Sequence, residues 1–249
     1  CTHSMEYRWL DLKKMPIWIH CKGYLVRDDN MKPLYMIGCI NEIGERQKAD
    51  NVSGLLGESG FREYMNQLDT PLETGYLLRI GIDHFKEIND NFGQEYGDFV
   101  LKKSAECISG CISEGQKVYK LVADEFLILD VSSDEAKDAD KLYDKVREAI
   151  DRFIETNEFK VMYTVSGGIV PFAALKGNQC SEALKLTDFA LNEAKKLGRN
   201  RCYIFNGETY RKFLRKREIT QELREAVING FQGFTAFYQP VFAEDKKVP

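Results

Sequence analysis

The chain has 249 residues, 43% of them hydrophobic and 30% charged, with a formal net charge of −4 and a pI near 5.6. That apolar content supports a packed core and excludes a disordered chain. The acidic balance excludes a nucleic-acid surface, which needs a basic face, so no nucleic-acid partner is expected. The seven cysteines are scattered and include no Cys-x-x-Cys pair. Cys107 and Cys111 share a helix face, but two thiols do not make a zinc site, and the cysteines read as reduced core thiols. No apolar run approaches the ~20 residues that cross a bilayer, so no membrane segment is expected. Cys1-Thr-His-Ser4 lacks the basic start and apolar stretch of a signal peptide. The missing initial Met and the end at Pro249, just inside a strand-like run, suggest a piece of a longer protein; the reduced thiols and the lack of a signal or membrane segment lead to a cytoplasmic location as the expectation.

In chain order, Glu6–Leu10, Ile17–Val26 and Leu34–Ile40 are rich in β-branched and aromatic residues. Asp28, Asn30 and Pro33 supply a turn between the last two, which predicts a three-stranded antiparallel meander. Trp9 and Trp18 read as meander core, and His20 as a residue on a strand face. Glu42–Asn51 is polar and reads as a linker. Ser59 is placed to cap a helix running to Leu68. Gly75–Ile82 is an apolar strand, Asp83–Phe92 a short helical piece, and Gln94–Ile112 a longer helix with Phe99, Val100, Leu101, Ala105 and Ile108 as its stripe. Lys117–Leu121 and Glu125–Val131 read as a hairpin. Ser133–Thr156 is an amphipathic helix whose charge run, Asp134 to Glu148, is a solvated face. Phe159–Val170 reads as a strand, Ser181–Leu197 as a helix stopped by Gly198, and Cys202–Phe205 as a last strand. Glu208–Asn229 is a long polar helix with a partial stripe of Leu214, Ile219, Leu223, Ala226 and Val227. A strand is expected to begin at Phe234. The order β-α-α-β-β-α-β-α-β predicts an α/β (α+β) domain, a central mixed sheet covered by helices and related to the split βαβ arrangement.

Two stretches carry a chemical pattern. The first runs from Gly81 to Asp98 and gathers Asp83, Asn89, Asp90 and Asp98 near the carboxyl end of a buried strand. Ligands of open α/β sheets sit there. An Asn and an Asp suit guanine: a carboxylate accepts from N1–H and N2–H, and an amide serves O6 or N3. The second stretch, Val122-Ala-Asp-Glu-Phe126, lies at the hairpin tip. Adjacent acids in a tight turn are costly unless solvated or metal-bound. Taken alone, they also describe an ordinary charged turn.

Together these stretches resemble the GGDEF family of diguanylate cyclases. The resemblance rests on Asp83-His-Phe-Lys-Glu-Ile-Asn-Asp90, Gly97-Asp98, Asp124-Glu-Phe126, Thr164-Val-Ser166 with Gly168, and Ala194-Lys-x-x-Gly-Arg-Asn200. It implies enzymes that join two GTP molecules into cyclic di-GMP, using two Mg²⁺ ions and a homodimer of facing half-sites. It also implies guanine contacts from Asn89 and Asp98, phosphate contacts from Lys195 and Arg199, a metal ligand at Asp124, and at Glu125 an acid that assists deprotonation of the attacking hydroxyl. Without the resemblance, Asn89 and Asp98 read as a cap and a surface turn, Lys195 and Arg199 as charges favourable at a helix C-terminus, and His84 as a surface histidine.

The chain departs from the family at several points. Two glycines begin the signature turn in the family, where this chain has Val122 and Ala123; glycine permits positive φ and close approach of phosphate, and a β-branched Val resists both. A metal-binding Asp is replaced by Gly81. An Arg-x-x-Asp product-inhibition motif is replaced by Ser113-Glu-Gly-Gln116. These departures predict a degenerate catalytic site with a weakened Mg²⁺ site. Residues 1–48 look like the C-terminal part of a PAS sensor domain and linker, 49–206 like the GGDEF domain, and 207–249 like a linker helix and the opening of an EAL phosphodiesterase domain. Three functions follow: a degenerate domain that binds GTP and regulates an attached EAL phosphodiesterase, an active cyclase, or a nucleotide-free dimerisation and relay module.

Overall fold

The computed structural model describes residues 2–10, 16–28, 31–42, 49–68, 72, 74–133, 136–156, 161–177, 180–231 and 233–239. The chain divides into two units, Cys1–Phe205 and Asn206–Pro249. In the first, β1 (Thr2–Leu10), β2 (Pro16–Arg27) and β3 (Pro33–Glu42) form an antiparallel sheet in the order β1-β2-β3, the expected meander. Asp28 closes the second turn: its Oδ1 accepts from the Lys32 amide at 2.9 Å and its carbonyl from the Met31 amide at 2.9 Å. An aspartate side chain held by a backbone amide of the same turn stands in for a further turn of backbone.

A second sheet of six strands carries the larger core. Its order is β4 (Leu56–Gly57), β6 (Gln116–Lys120), β7 (Glu125–Asp130), β5 (Tyr76–Ile82), β8 (Val165–Pro171), β9 (Cys202–Ile204). The outer pairs are parallel and the inner ones antiparallel, so the sheet is mixed. Central β5 shows why it is apolar nearly throughout. Tyr76, Leu78, Ile80 and Ile82 face one cluster, with α2 (Phe85–Phe92), α3 (Gln94–Cys111) and α4 (Ala136–Thr156). Leu77 faces the other cluster, with α1 (Glu58–Asn66) and α5 (Cys180–Lys196). Period-two alternation puts Arg79 and Gly81 on this second face, and in β7 it puts Glu125 there with Leu127 and Leu129. Gly168 lets α5 lie close to β8, since a Cβ there would stand 2.3 Å from the Leu191 nitrogen.

Several boundaries differ from the sequence reading. The first helix starts at Glu58, after Gly57 leaves β4 in extended conformation, so Ser59 lies inside it and no side chain caps it. Phe99 is exposed; the buried face of α3 runs through Gly97, Val100, Leu101, Ser104, Ala105, Ile108 and Cys111, and Phe99 falls to its side. The eighth strand begins only at Val165: Tyr163 and Thr164 are irregular, and residues 157–160 lie outside the described residues. Gly198, at φ 117°, ends α5 as expected, with the Arg199 amide donating back to the Ala194 carbonyl at 3.2 Å.

The second unit is mostly α6 (Gly207–Ile228). Asn206 caps it, its Oδ1 accepting from the Glu208 and Thr209 amides at 3.0 Å each. The partial stripe of Leu214, Ile219, Leu223 and Val227 is exposed. Residues 234–239 form no strand, and the remainder of that expected element lies outside the described residues.

Candidate nucleotide site

The second face of the sheet brings β5, the β6–β7 turn and α5 together. On α5, Leu184, Asp188, Leu191 and Lys195 share one side, at spacings of four and three. That side meets the odd-numbered residues of β5. Arg79 Nη1 donates to the Leu184 carbonyl at 3.1 Å, and its guanidinium stands 3.5 Å from Asp188 Oδ1. A Cβ on Gly81 would meet Leu191 Cδ2 at 3.2 Å and Lys195 Nζ at 3.0 Å.

The turn itself is built around two acids and a buried lysine. Ala123 takes φ 56°, a left-handed conformation that costs a non-glycine residue about 1–2 kcal/mol. Val122 does not share it and is 72% exposed, so the strain expected of Val122 falls on its neighbour. Lys120 is buried and donates its ammonium protons to the carbonyls of Leu121, at 2.9 Å, and Ala123. Burial pulls its pKa down, opposed by the charges of Asp50, Asp124 and Glu125.

Asp124 and Glu125 have different partners. Asp124 Oδ2 lies 4.0 Å from Lys195 Nζ. Burial pushes its carboxyl up, against the pull of Lys195 and with a further push from Glu125. Glu125 Oε2 accepts from Arg79 Nε at 2.7 Å and from the guanidinium Nη2 as well. Those side chains are only 12% (Arg79) and 18% (Glu125) exposed. A pair this enclosed is charge-assisted, and neither partner is free to leave without a large penalty.

Asp83 follows the end of β5, beside β8. Its carboxylate accepts from Thr164 Oγ1 at 2.7 Å, Ser166 Oγ at 2.8 Å and the Asn200 amide at 3.2 Å. It therefore pins the turn containing Arg199 and Asn200, both at positive φ (61° and 46°). Arg199 itself is exposed. Next to Asp83, His84 is exposed and pairs with Glu87 at 2.6 Å. On α2, the Asn89 side-chain oxygen is buried with no hydrogen-bond partner, and a Cβ on Gly97 would stand 1.8 Å from it. Asp98 follows Gly97 on α3. Thus the structure gathers Gly81, Asp124 and Lys195, holds Glu125 on Arg79, and sets Asn89 against the residue before Asp98.

The sequence profile described as "Diguanylate cyclase, GGDEF domain" matches residues 48–201. This chain belongs to the GGDEF diguanylate cyclase family. Its GGDEF domain thus places it in cyclic di-GMP signalling. Among curated relatives it is similar to the cyclic di-GMP phosphodiesterase NbdA of Pseudomonas aeruginosa, 28% identical over 78% of this chain and 25% of that protein. It is also similar to the diguanylate cyclase VdcA of Vibrio cholerae, 28% identical over 73% of this chain and 55% of that one. The chain spans a quarter to about half the length of these relatives. Among solved structures, the GGDEF domain of TpbB (YfiN) from Pseudomonas aeruginosa superposes with TM-score 0.58 at 24% identity, over 67% of this chain and 99% of that one. That likeness shows the fold.

Mg²⁺ is the ion generally used by cyclases of this family, and it demands several oxygen ligands in near-octahedral order at about 2.0–2.1 Å. The GGDEF domain of this chain does not fit it. Position 81 offers no carboxylate and faces an ammonium. Asp83 is held by three donors and Glu125 by Arg79. Among the described residues, no three His, Cys, Asp or Glu side chains stand together as a metal cluster. The Ser113–Gln116 loop is likewise closed on itself: the Ser113 amide donates to Gln116 Oε1 at 2.8 Å, and Gln116 Nε2 to Asp130 Oδ2 at 2.7 Å.

Sequence reasoning overlooked Arg79 and Lys120. Each is a lone cation in an apolar strand run, Tyr76-Leu-Leu-Arg-Ile-Gly-Ile82 and Val118-Tyr-Lys-Leu121. A charge in such a setting is rarely buried unless paired, and that is the signal that marks both.

Proposed function

We propose that this GGDEF domain binds guanine nucleotide, does not convert it to cyclic di-GMP, and regulates an attached EAL-type phosphodiesterase. The observation that carries the loss of catalysis is the Arg79–Glu125 pair. Glu125 occupies the position of the acid that would assist deprotonation of the attacking hydroxyl. A carboxylate whose oxygen already accepts two N–H bonds from an enclosed guanidinium is held away from an attacking hydroxyl and is not free to take its proton. Phosphoryl transfer rests on positioning and charge stabilisation, and removing one such contact costs about 10²–10³ in rate.

Retained guanine reading is supported by Asn89 and Asp98. The unpartnered Asn89 oxygen is a buried polar atom that a ligand donor would satisfy, and leaving such an atom bare costs about 1–3 kcal/mol. Lys195 and Arg199 are proposed as the phosphate contacts. The wider organisation is proposed as a PAS-like end at 1–48, the GGDEF domain at 49–206, and a linker helix entering an EAL domain at 207–249. The relative NbdA, named a cyclic di-GMP phosphodiesterase, supports that arrangement. A homodimer is part of the same proposal.

The test pairs two measurements on the purified chain. Chromatography with GTP and Mg²⁺ or Mn²⁺ is expected to yield no cyclic di-GMP at rates usual for cyclases. Calorimetry is expected to detect GTP and to rank it clearly above ATP, which has no N1–H for Asp98. Cyclic di-GMP in the first measurement favours an active cyclase; silence toward GTP in the second favours the relay module.

A further inference from the structure

We infer that the Lys195 ammonium replaces the divalent cation in this domain, so that a polyphosphate binds there without metal. The inference rests on the reading of the domain as a nucleotide-binding one and deepens it. Lys195 Nζ lies 3.0 Å from where a side chain at position 81 would begin, and 4.0 Å from Asp124 Oδ2. A fixed positive charge therefore stands between the place of the missing carboxylate and the one acid of the turn that Arg79 does not hold. α5 fixes it there: Leu191, one turn earlier on the same side, packs against the same backbone.

Around the turn, Arg79 stands against Glu125 and Asp188, and Lys120 and Lys195 against Asp50 and Asp124. Gly81 adds no acid to this group, and the cation that faces its position is Lys195. An added Mg²⁺ would have to displace that ammonium while gaining a single carboxylate, Asp124. An ammonium presents three donors and suits phosphate oxygens as a point charge. Restoring the acid alone does not recreate a metal site: Gly81→Asp places its carboxylate against Lys195, where the two pair.

The experiment is calorimetry of GTP, and separately of inorganic tripolyphosphate, with EDTA or with excess Mg²⁺. Tripolyphosphate has no base, so it reports on the phosphate cradle independently of guanine reading. Both ligands are expected to bind in EDTA within about threefold of their affinity in Mg²⁺. Lys195→Met should weaken both at least about tenfold, the loss expected for a charged hydrogen bond. Lys195→Arg should keep metal-free binding, which separates lost charge from lost folding. Gly81→Asp should weaken binding in EDTA by engaging the ammonium. Binding that appears only with Mg²⁺, or that is indifferent to Lys195→Met, overturns the inference and leaves the nucleotide-binding reading standing. Tripolyphosphate binding without GTP binding supports the inference and overturns that reading. Binding of neither ligand under either condition overturns both.

Discussion

Arg79 Nε donates to Glu125 Oε2 at 2.7 Å between adjacent strands, and the same guanidinium is tied to the Leu184 carbonyl on the helix above. One side chain therefore joins β5, the signature turn and α5. Arg79→Met leaves the Glu125 carboxylate largely enclosed without its partner. The expected loss is about 2 kcal/mol, below the ~3–5 kcal/mol of a fully enclosed pair because both side chains retain some solvent. Arg79→Met with Glu125→Leu should recover most of it, since an apolar pair carries no desolvated charge. Urea unfolding midpoints of the three proteins check this; a double variant no better than the single one contradicts it.

Ala123 and Val122 should respond oppositely to glycine. Ala123 sits at φ 56° and Val122 does not have positive φ. Ala123→Gly removes left-handed strain and is expected to stabilise the domain by roughly 0.5–1 kcal/mol, after the added freedom of the unfolded chain is counted. Val122→Gly removes no such strain and should destabilise it by a few tenths of a kcal/mol. Thermal unfolding of the two variants decides the order.

Gly97→Ala tests the guanine pocket without touching a charged group. A Cβ there would stand 1.8 Å from Asn89 Oδ1, so the amide must turn away. GTP affinity is expected to fall at least about tenfold, and Asp98→Ala should erase the preference for GTP over ATP. Gly110→Ala is the control: it lies on the same helix with nothing within 4 Å of its Cβ. It should add about 0.5–1 kcal/mol of stability through helix propensity and leave affinity unchanged.

Acid should weaken the domain through Asp130. Burial raises its carboxyl, but hydrogen bonds from Gln116, Ser132 and Ser133 outweigh burial and bring its pKa down to about 2 from an ordinary 3.8. A carboxyl depressed by folding stabilises the native state above its unfolded pKa and loses that contribution as pH falls toward the folded value. Here the window runs from about pH 4 down to about pH 2. The contribution is on the order of 1–2 kcal/mol, discounted because Ser132 is exposed. Urea unfolding from pH 7 to pH 2 should show this slope in the native chain and a shallower one in Asp130→Asn, which is also less stable at pH 7.

The sequence by itself determined five of the domain's six strands and its family; the two-residue β4, Leu56–Gly57, carries no local signal and came only with the fold. Apolar runs such as Tyr76–Ile82 and the 3.6-residue stripe of α3 are local signals, and Asp83, Asn89, Asp98 and Asp124-Glu-Phe126 share one spacing pattern. It also exposed Gly81, Val122 and Ala123 as departures. What each departure does was decided only by tertiary structure. Whether the vacancy at Gly81 is open or filled depends on Lys195, more than a hundred residues away on a helix that crosses the strand. Whether Glu125 is free depends on Arg79, which pairs across a strand register that no local pattern specifies. Backbone strain at the turn depends on which of two residues takes positive φ, and the carbonyls held by Lys120 belong to that choice. Local periodicity is written in neighbouring side chains, whereas charge pairing and van der Waals occupancy are set by atoms that only folding brings together.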